Sequence, residues 1–136
     1  MRKPLIFFFI IISSLLSIHS SAQNSLHKTK EEVINLLCRK WQMEEMESEG
    51  KIVKMPSAHT WYYNFSPEGT VLFTTDGEDT KQYWKYDDLA NIIAIKEDEN
   101  ADRKDVFEII SISNNTLTLW TDSEGFQSTI HFVAVK

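Results

Sequence analysis

The chain has 136 residues and a formal net charge of −6 at pH 7. This length suits one domain with its own hydrophobic core. The acidic balance, with no cluster of Lys and Arg interleaved with aromatic residues, disfavours binding to nucleic acid and to anionic lipid head groups. Cys38 is the only cysteine, which excludes an internal disulfide, so the core alone must stabilise the fold.

The first 22 residues have the pattern of a secretory signal peptide. A positively charged start precedes an apolar run over residues 5–16, and the small residues Ser20-Ser21-Ala22 precede an expected cleavage site. The run is well short of the roughly 20 apolar residues that a membrane-spanning helix needs. We therefore predict a signal peptide at 1–22 and a domain at 23–136. That domain is expected in the periplasm or outside the cell, with no stable membrane insertion after signal cleavage.

A short amphipathic helix is predicted next, over residues 26–37. Its apolar positions are Leu26, Val33, Leu36 and Leu37, in a field of charged and polar residues. Thr29 followed three residues later by Glu32 is the pattern of a capping box. We expect this helix to plug one end of the structure that follows.

From residue 39 onward, short alternating runs of apolar and polar residues are separated by turn residues at regular intervals. The runs lie near 39–48, 51–55, 59–66, 70–76, 80–87, 91–97, 104–112 and 116–121, and a ninth covers 125–135. The short connections favour pairing between neighbouring antiparallel strands. The sequence therefore predicts an all-β, antiparallel up-and-down meander that closes into a barrel or sandwich.

Four segments resemble, in order and spacing, small exported lipocalin-like proteins of Gram-negative bacteria. The segments are Leu-Leu-Cys-Arg-Lys-Trp at 36–41, Phe-Ser-Pro-Glu-Gly-Thr-Val at 65–71, Trp-Lys-Tyr at 84–86, and a late hairpin that starts at Phe107 and ends at Leu119. One departure is Arg39, which stands where the family usually has Gly. The resemblance implies a lipocalin-like barrel of about eight strands with a short N-terminal helix. It implies no particular ligand.

Aromatic residues on three strands form the candidate binding site. The alternation places them on faces that we expect to point inward, and the predicted ligand-binding residues are Trp61, Tyr63, Phe65, Phe73, Trp84 and Tyr86. An eight-stranded barrel is just wide enough to be filled by side chains or to hold one small ligand. The rings therefore predict a pocket for an apolar or aromatic molecule, with His59, Tyr63 and Tyr86 fixing its polar end. The alternative is that these rings simply form the core.

Metal binding and catalysis find little support in the sequence. The loop at 97–102 resembles the first half of an EF-hand, but Arg103 stands where Gly is needed and Ile109 where a bidentate Glu is needed. Cys38 suits a small buried apolar residue better than a nucleophile assisted by His59 or His131. We predict no catalytic residue, no metal site and no cofactor.

Two functions follow from these observations. The first is an exported, non-enzymatic binding protein that holds a small apolar ligand in its barrel. The alternative is a protein-interaction module whose barrel is fully packed, whose acidic face or exposed strand edge meets a protein partner, and which has no small-molecule ligand.

Overall fold

The structure, a computed structural model, describes residues 28–136. The predicted signal peptide, its cleavage site and Leu26 lie outside the described residues. Within 28–136, no helix has both the length and the apolar character that crossing a membrane requires.

The predicted helix is present as α1, Lys30–Leu37, with Thr29 as its N-cap. The capping box is confirmed, because the backbone N–H of Glu32 donates to Thr29 Oγ1 at 3.2 Å and the backbone N–H of Thr29 donates to Glu32 Oε2 at 2.7 Å. A helix this short is marginal by itself in water. Packing stabilises it, since Val33 and Leu37 are fully buried against the barrel core.

Nine strands follow the helix, close to the predicted positions. They are β1 Lys40–Ser48, β2 Lys51–Lys54, β3 Trp61–Phe65, β4 Thr70–Thr75, β5 Glu78–Asp87, β6 Ile92–Lys96, β7 Asp105–Ile112, β8 Thr116–Ser123 and β9 Phe126–Ala134. Every pairing between them is antiparallel, and consecutive strands from β3 to β9 are neighbours.

β1 closes the sheet into an eight-stranded barrel, because it pairs with β9 on one side and with β3 on the other. β2 shares the β3 side of β1. It pairs with the far half of β1, from Glu45 to Ser48, while β3 pairs with the near half, from Lys40 to Gln42. β2 and β3 are thus two parts of one interrupted strand, separated by an excursion at residues 55–60. The predicted all-β barrel of about eight strands is confirmed.

The β3–β4 connection is a three-residue hairpin loop. The backbone N–H of Ser66 donates to Thr70 O at 2.9 Å, and that of Gly69 donates to Ser66 O at 3.2 Å. Gly69 has φ +87, the left-handed conformation that ends this type of loop.

The two ends of the barrel differ. At the closed end, where β1 begins, α1 covers the lumen and the Trp41 indole N–H donates to Leu37 O at 3.1 Å. Side chains from all eight barrel strands fill this half: Trp41, Phe65, Val71, Trp84, Ile93, Ile109, Leu117 and Phe132 are buried. At the open end, where β1, β4, β6 and β8 finish, the described residues include no helix over the lumen. We call this end the mouth.

Candidate binding site

Five of the six predicted ligand-binding residues form one continuous chain of rings. Ring centroids are 6.0 Å apart for Trp61 and Phe73, 4.8 Å for Phe73 and Tyr63, 5.9 Å for Tyr63 and Phe65, and 5.3 Å for Phe65 and Trp84. The register explains this arrangement, since Tyr63 lies directly opposite Phe73 and Phe65 opposite Val71. The alternation in the sequence therefore correctly grouped five aromatic residues that lie next to one another in the structure.

Burial divides this chain of rings into two parts. Phe65 and Trp84 are only 3% and 6% exposed, and the Trp84 indole N–H donates to Ser66 O at 2.9 Å. They belong to the packed core, and a binding role for them stays a prediction. Trp61, Tyr63 and Phe73 also face inward but are half-buried, because their strands rise beyond the packed half toward the mouth.

The expected polar end of the pocket is not assembled in one place. Tyr86 lies near the end of β5, on the closed side, where its hydroxyl donates to Asn91 Oδ1 at 3.0 Å. His59 lies at the rim of the mouth, with Nδ1 3.1 Å from Asp76 Oδ1, and both side chains are exposed. Of the three polar side chains, only Tyr63 extends from the ring chain into the lumen.

The mouth has apolar residues that the sequence patterns did not identify as a site. Met46 and Met55 are half-buried against the core, while Val53 and Phe126 are 61% and 64% exposed. Val53 pairs with Met46, and Phe126 shares its strand face with buried Ile130, so these side chains continue the inner wall. A register shift between Met43 and Glu45 reverses the alternation of β1, which is why simple alternation from Trp41 misses Met46.

Asp105 is a further residue of the mouth that the sequence patterns did not identify. It alternates with the buried residues Phe107 and Ile109 and lies opposite buried Ile95, so it starts the inner face of β7 at the mouth. Its charge affects one member of the ring chain, Tyr63. The pKa of Tyr63 is raised to about 12, mainly by burial and secondly by the Asp105 carboxylate. The alternation of residues along β7 is the sequence signal by which Asp105 could have been identified.

The cysteine and the histidines lie in separate places. Cys38 is half-buried beside the end of α1, and burial, followed by the charge of Glu68, raises the pKa of its thiol. A raised pKa reduces the thiolate that a nucleophile requires. His131 Nδ1 lies 3.2 Å from Thr118 Oγ1 on the outside of the barrel, and His59 is at the mouth.

The acidic loop at 97–102 is held by a local turn. Asp98 Oδ1 accepts from the backbone N–H of Asn100 at 3.0 Å, and the backbone N–H of Ala101 donates to Asp98 O at 3.0 Å. Nowhere in residues 28–136 do three or more His, Cys, Asp or Glu side chains converge as metal ligands would.

A hollow of about 410 Å³ lies on the outer wall of the barrel. Its floor is Ala94, its sides include Tyr83, Lys85 and Lys96, and the β3–β4 turn overhangs it. These strand residues alternate with the inward-facing Trp84 and Ile95, so this hollow is separate from the lumen. Its lining mixes acidic and basic side chains, and nothing in it converges on one chemical group.

Comparison with known proteins supports the fold. No protein-family model matches the chain, and no curated protein matches it. A similar solved structure is the crystal structure of an uncharacterized protein from Bacteroides eggerthii, which is 18% identical with a TM-score of 0.54 over 73% of this chain and 99% of that chain. At this identity the likeness supports the barrel fold alone.

Proposed function

We propose that this protein is an exported, non-enzymatic, lipocalin-like binding protein that holds one small molecule with an apolar body in the mouth of its barrel. The binding wall is formed by Trp61, Tyr63 and Phe73, with Met46 and Val53 extending it to the rim. The packed lower half of the barrel forms the floor.

One observation carries this proposal: three aromatic side chains point inward and yet remain accessible to water. Rings that serve only as core become buried, as Phe65 and Trp84 are. Trp61, Tyr63 and Phe73 are each partly exposed, so the free protein does not gain all of the roughly 1.5–3 kcal/mol that full burial of an apolar side chain provides. A guest molecule seated on Trp61, Tyr63 and Phe73 would recover part of that free energy, which is the usual basis of binding in an apolar cleft.

Titration with two neutral alcohols, phenylpropanol and decanol, tests the proposal. Calorimetry should give saturable binding of at least one, with a shift in tryptophan emission. Trp61→Ala should weaken that binding several-fold. The matched control is Trp120→Ala, because Trp120 is half-buried on the outer face of β8 and its loss should leave affinity unchanged. If neither alcohol binds to the native protein, and no charged compound with the same apolar body binds either, the proposal is wrong.

A second function rests on the edge of β2. This strand pairs with β1 alone within the described residues, and its outward-facing Ile52 is 60% exposed. A free strand edge can pair with an extended segment of a partner protein. A photo-crosslinking residue at position 52, compared with one at Leu89 in the exposed β5–β6 turn, would test this in the native host. A discrete protein adduct at position 52 only, without alcohol binding, would favour the interaction module.

A further inference from the structure

The mouth contains a carboxylate, that of Asp105, which has no role in binding a purely apolar molecule. Asp105 stands on its inner wall, exposed at the start of β7. Among residues 28–136, its carboxylate has no ion pair and accepts no side-chain hydrogen bond. An unpaired carboxylate that faces a partly apolar space is costly unless water or a ligand satisfies it.

The aromatic rings share the same space as this carboxylate. Strands β7 and β3 face each other across the lumen, because each is the fourth strand from the other in either direction around the barrel. Asp105 on β7 therefore faces the rings of β3, and its carboxylate contributes to the raised pKa of Tyr63. Tyr63 stacks on Phe73, which lies edge-on to Trp61. The negative faces of aromatic rings attract a cation within about 6 Å of their centroids. The lumen at the mouth therefore has a carboxylate on β7 and several rings on β3 and β4, the combination that favours an organic cation.

The surroundings of the mouth have the same sign of charge. The turn at 76–79, the loop at 97–102 and the turn at 122–125 connect strands at this end of the barrel. Acidic residues outnumber basic ones in each of the three segments. Lys96, Arg103 and Lys104 offset part of this charge, as do the two lysines of β2. The net acidic field raises the local concentration of cations and lowers that of anions.

We propose that the occupant of the mouth is a cationic amphiphile, an ammonium group attached to an aromatic or alkyl body. Asp105 is its counter-ion, and Trp61, Tyr63 and Phe73 hold its apolar part. This inference rests on the proposed function and adds the ligand's charge class. A fatty acid or other carboxylate is the disfavoured ligand, because its head group would lie beside Asp105.

Three compounds with one shared body test the charge preference: phenylpropylammonium, phenylpropanol and phenylpropanoate. Calorimetry at low salt should rank their affinities in that order. The cation should bind about tenfold tighter than the alcohol, as a charge-assisted contact predicts. Raising the salt concentration should reduce the advantage of the cation and leave the affinity of the alcohol nearly constant.

The variant Asp105→Asn should remove most of the tenfold advantage and leave the affinity for the alcohol unchanged. Glu108→Gln is the matched control, since it removes one charge from the same strand but from its outer face, and it should behave like the native protein. If the alcohol binds as tightly as the cation, or the cation's advantage persists in a folded Asp105→Asn protein, this inference is overturned while the proposed function stands. Failure of all three compounds would overturn both.

Discussion

The side chain of Trp41 connects helix α1 to the barrel. It is fully buried where β1 begins, its indole N–H donates to Leu37 O, and the Arg39 guanidinium lies 5.7 Å from its ring centroid. Arg39 also donates to Asn114 O at 2.8 Å across the closed end. The residue that departs from the lipocalin-like pattern thus helps to close the barrel floor.

Trp41→Ala should lower the free energy of unfolding by about 3–5 kcal/mol, because it removes a fully buried ring and leaves a cavity. Urea unfolding followed by circular dichroism measures this loss. Trp120→Ala, on the outer face, should cost clearly less. A loss below about 1 kcal/mol for Trp41→Ala would contradict the placement of Trp41 at the centre of the closed end.

Tyr63 should make stability sensitive to alkaline pH. Its pKa is about 12 in the folded protein and 10.0 when unperturbed, so the fold favours the neutral phenol. That contribution is complete below about pH 10 and is lost as the pH rises toward 12. Spectrophotometric titration should show a tyrosine that ionises near pH 12 and is absent in Tyr63→Phe.

The comparison of urea midpoints at about pH 9 and pH 11.5 completes this test. Tyr63→Phe should lose less stability over that interval than the native protein does, because it has no phenol to ionise at this position. Equal losses in the two proteins would show that Tyr63 is freely solvated.

At the scale of elements, hairpin turns set the register that brings the rings together. The β3–β4 loop places Tyr63 opposite Phe73 and Phe65 opposite Val71. A slip by one residue would turn Trp61, Tyr63 and Phe65 to the outside. Two features therefore fix the register of β3 and β4: the burial of Phe65 and the left-handed conformation of Gly69.

Gly69→Val should destabilise the protein by about 1–2 kcal/mol, the cost of a left-handed backbone for a residue with a Cβ. The cost is conformational, since an added Cβ would lie 3.7 Å from Trp84 O, an ordinary contact. Gly69→Asn should cost less, because Asn tolerates this conformation. Thermal unfolding of the two variants measures the difference, and equal effects would point to crowding instead.

At the scale of the whole molecule, the barrel is divided along its axis into a packed half and an accessible half. The helix and the large buried side chains fill the closed end, so stability is concentrated there. Half-buried rings, exposed Val53 and Phe126, and acidic turns are concentrated at the mouth. This separation lets the protein keep an apolar wall accessible without weakening its core.

Export is a prediction for the whole chain. The protein recovered from the periplasm or medium of its host should begin at Gln23, because Ser20-Ser21-Ala22 supplies the small residues that signal peptidase requires. N-terminal sequencing, or mass spectrometry that allows for cyclised Gln, measures this. Intact Met1 on a soluble cytosolic protein would contradict it.

The amino-acid sequence by itself determined the helix with its capping box, the nine strands, their antiparallel order and the chain of rings from Trp61 to Trp84. These features depend on local periodicity and turn chemistry, which can be seen along the chain. Local patterns act over a few residues, so a single sequence suffices to identify them.

Only the tertiary structure decided which rings are core and which form a wall. Trp61 and Trp84 both point inward. Because the strands are staggered, Trp61 lies toward the mouth and Trp84 lies in the packed half. The bulge in β1 that turns Met46 inward, the interruption between β2 and β3, and the position of Asp105 across the lumen from Tyr63 are likewise long-range results. They depend on barrel closure between β1 and β9, which joins residues 80 to 93 positions apart in the chain, a distance over which no local pattern carries information.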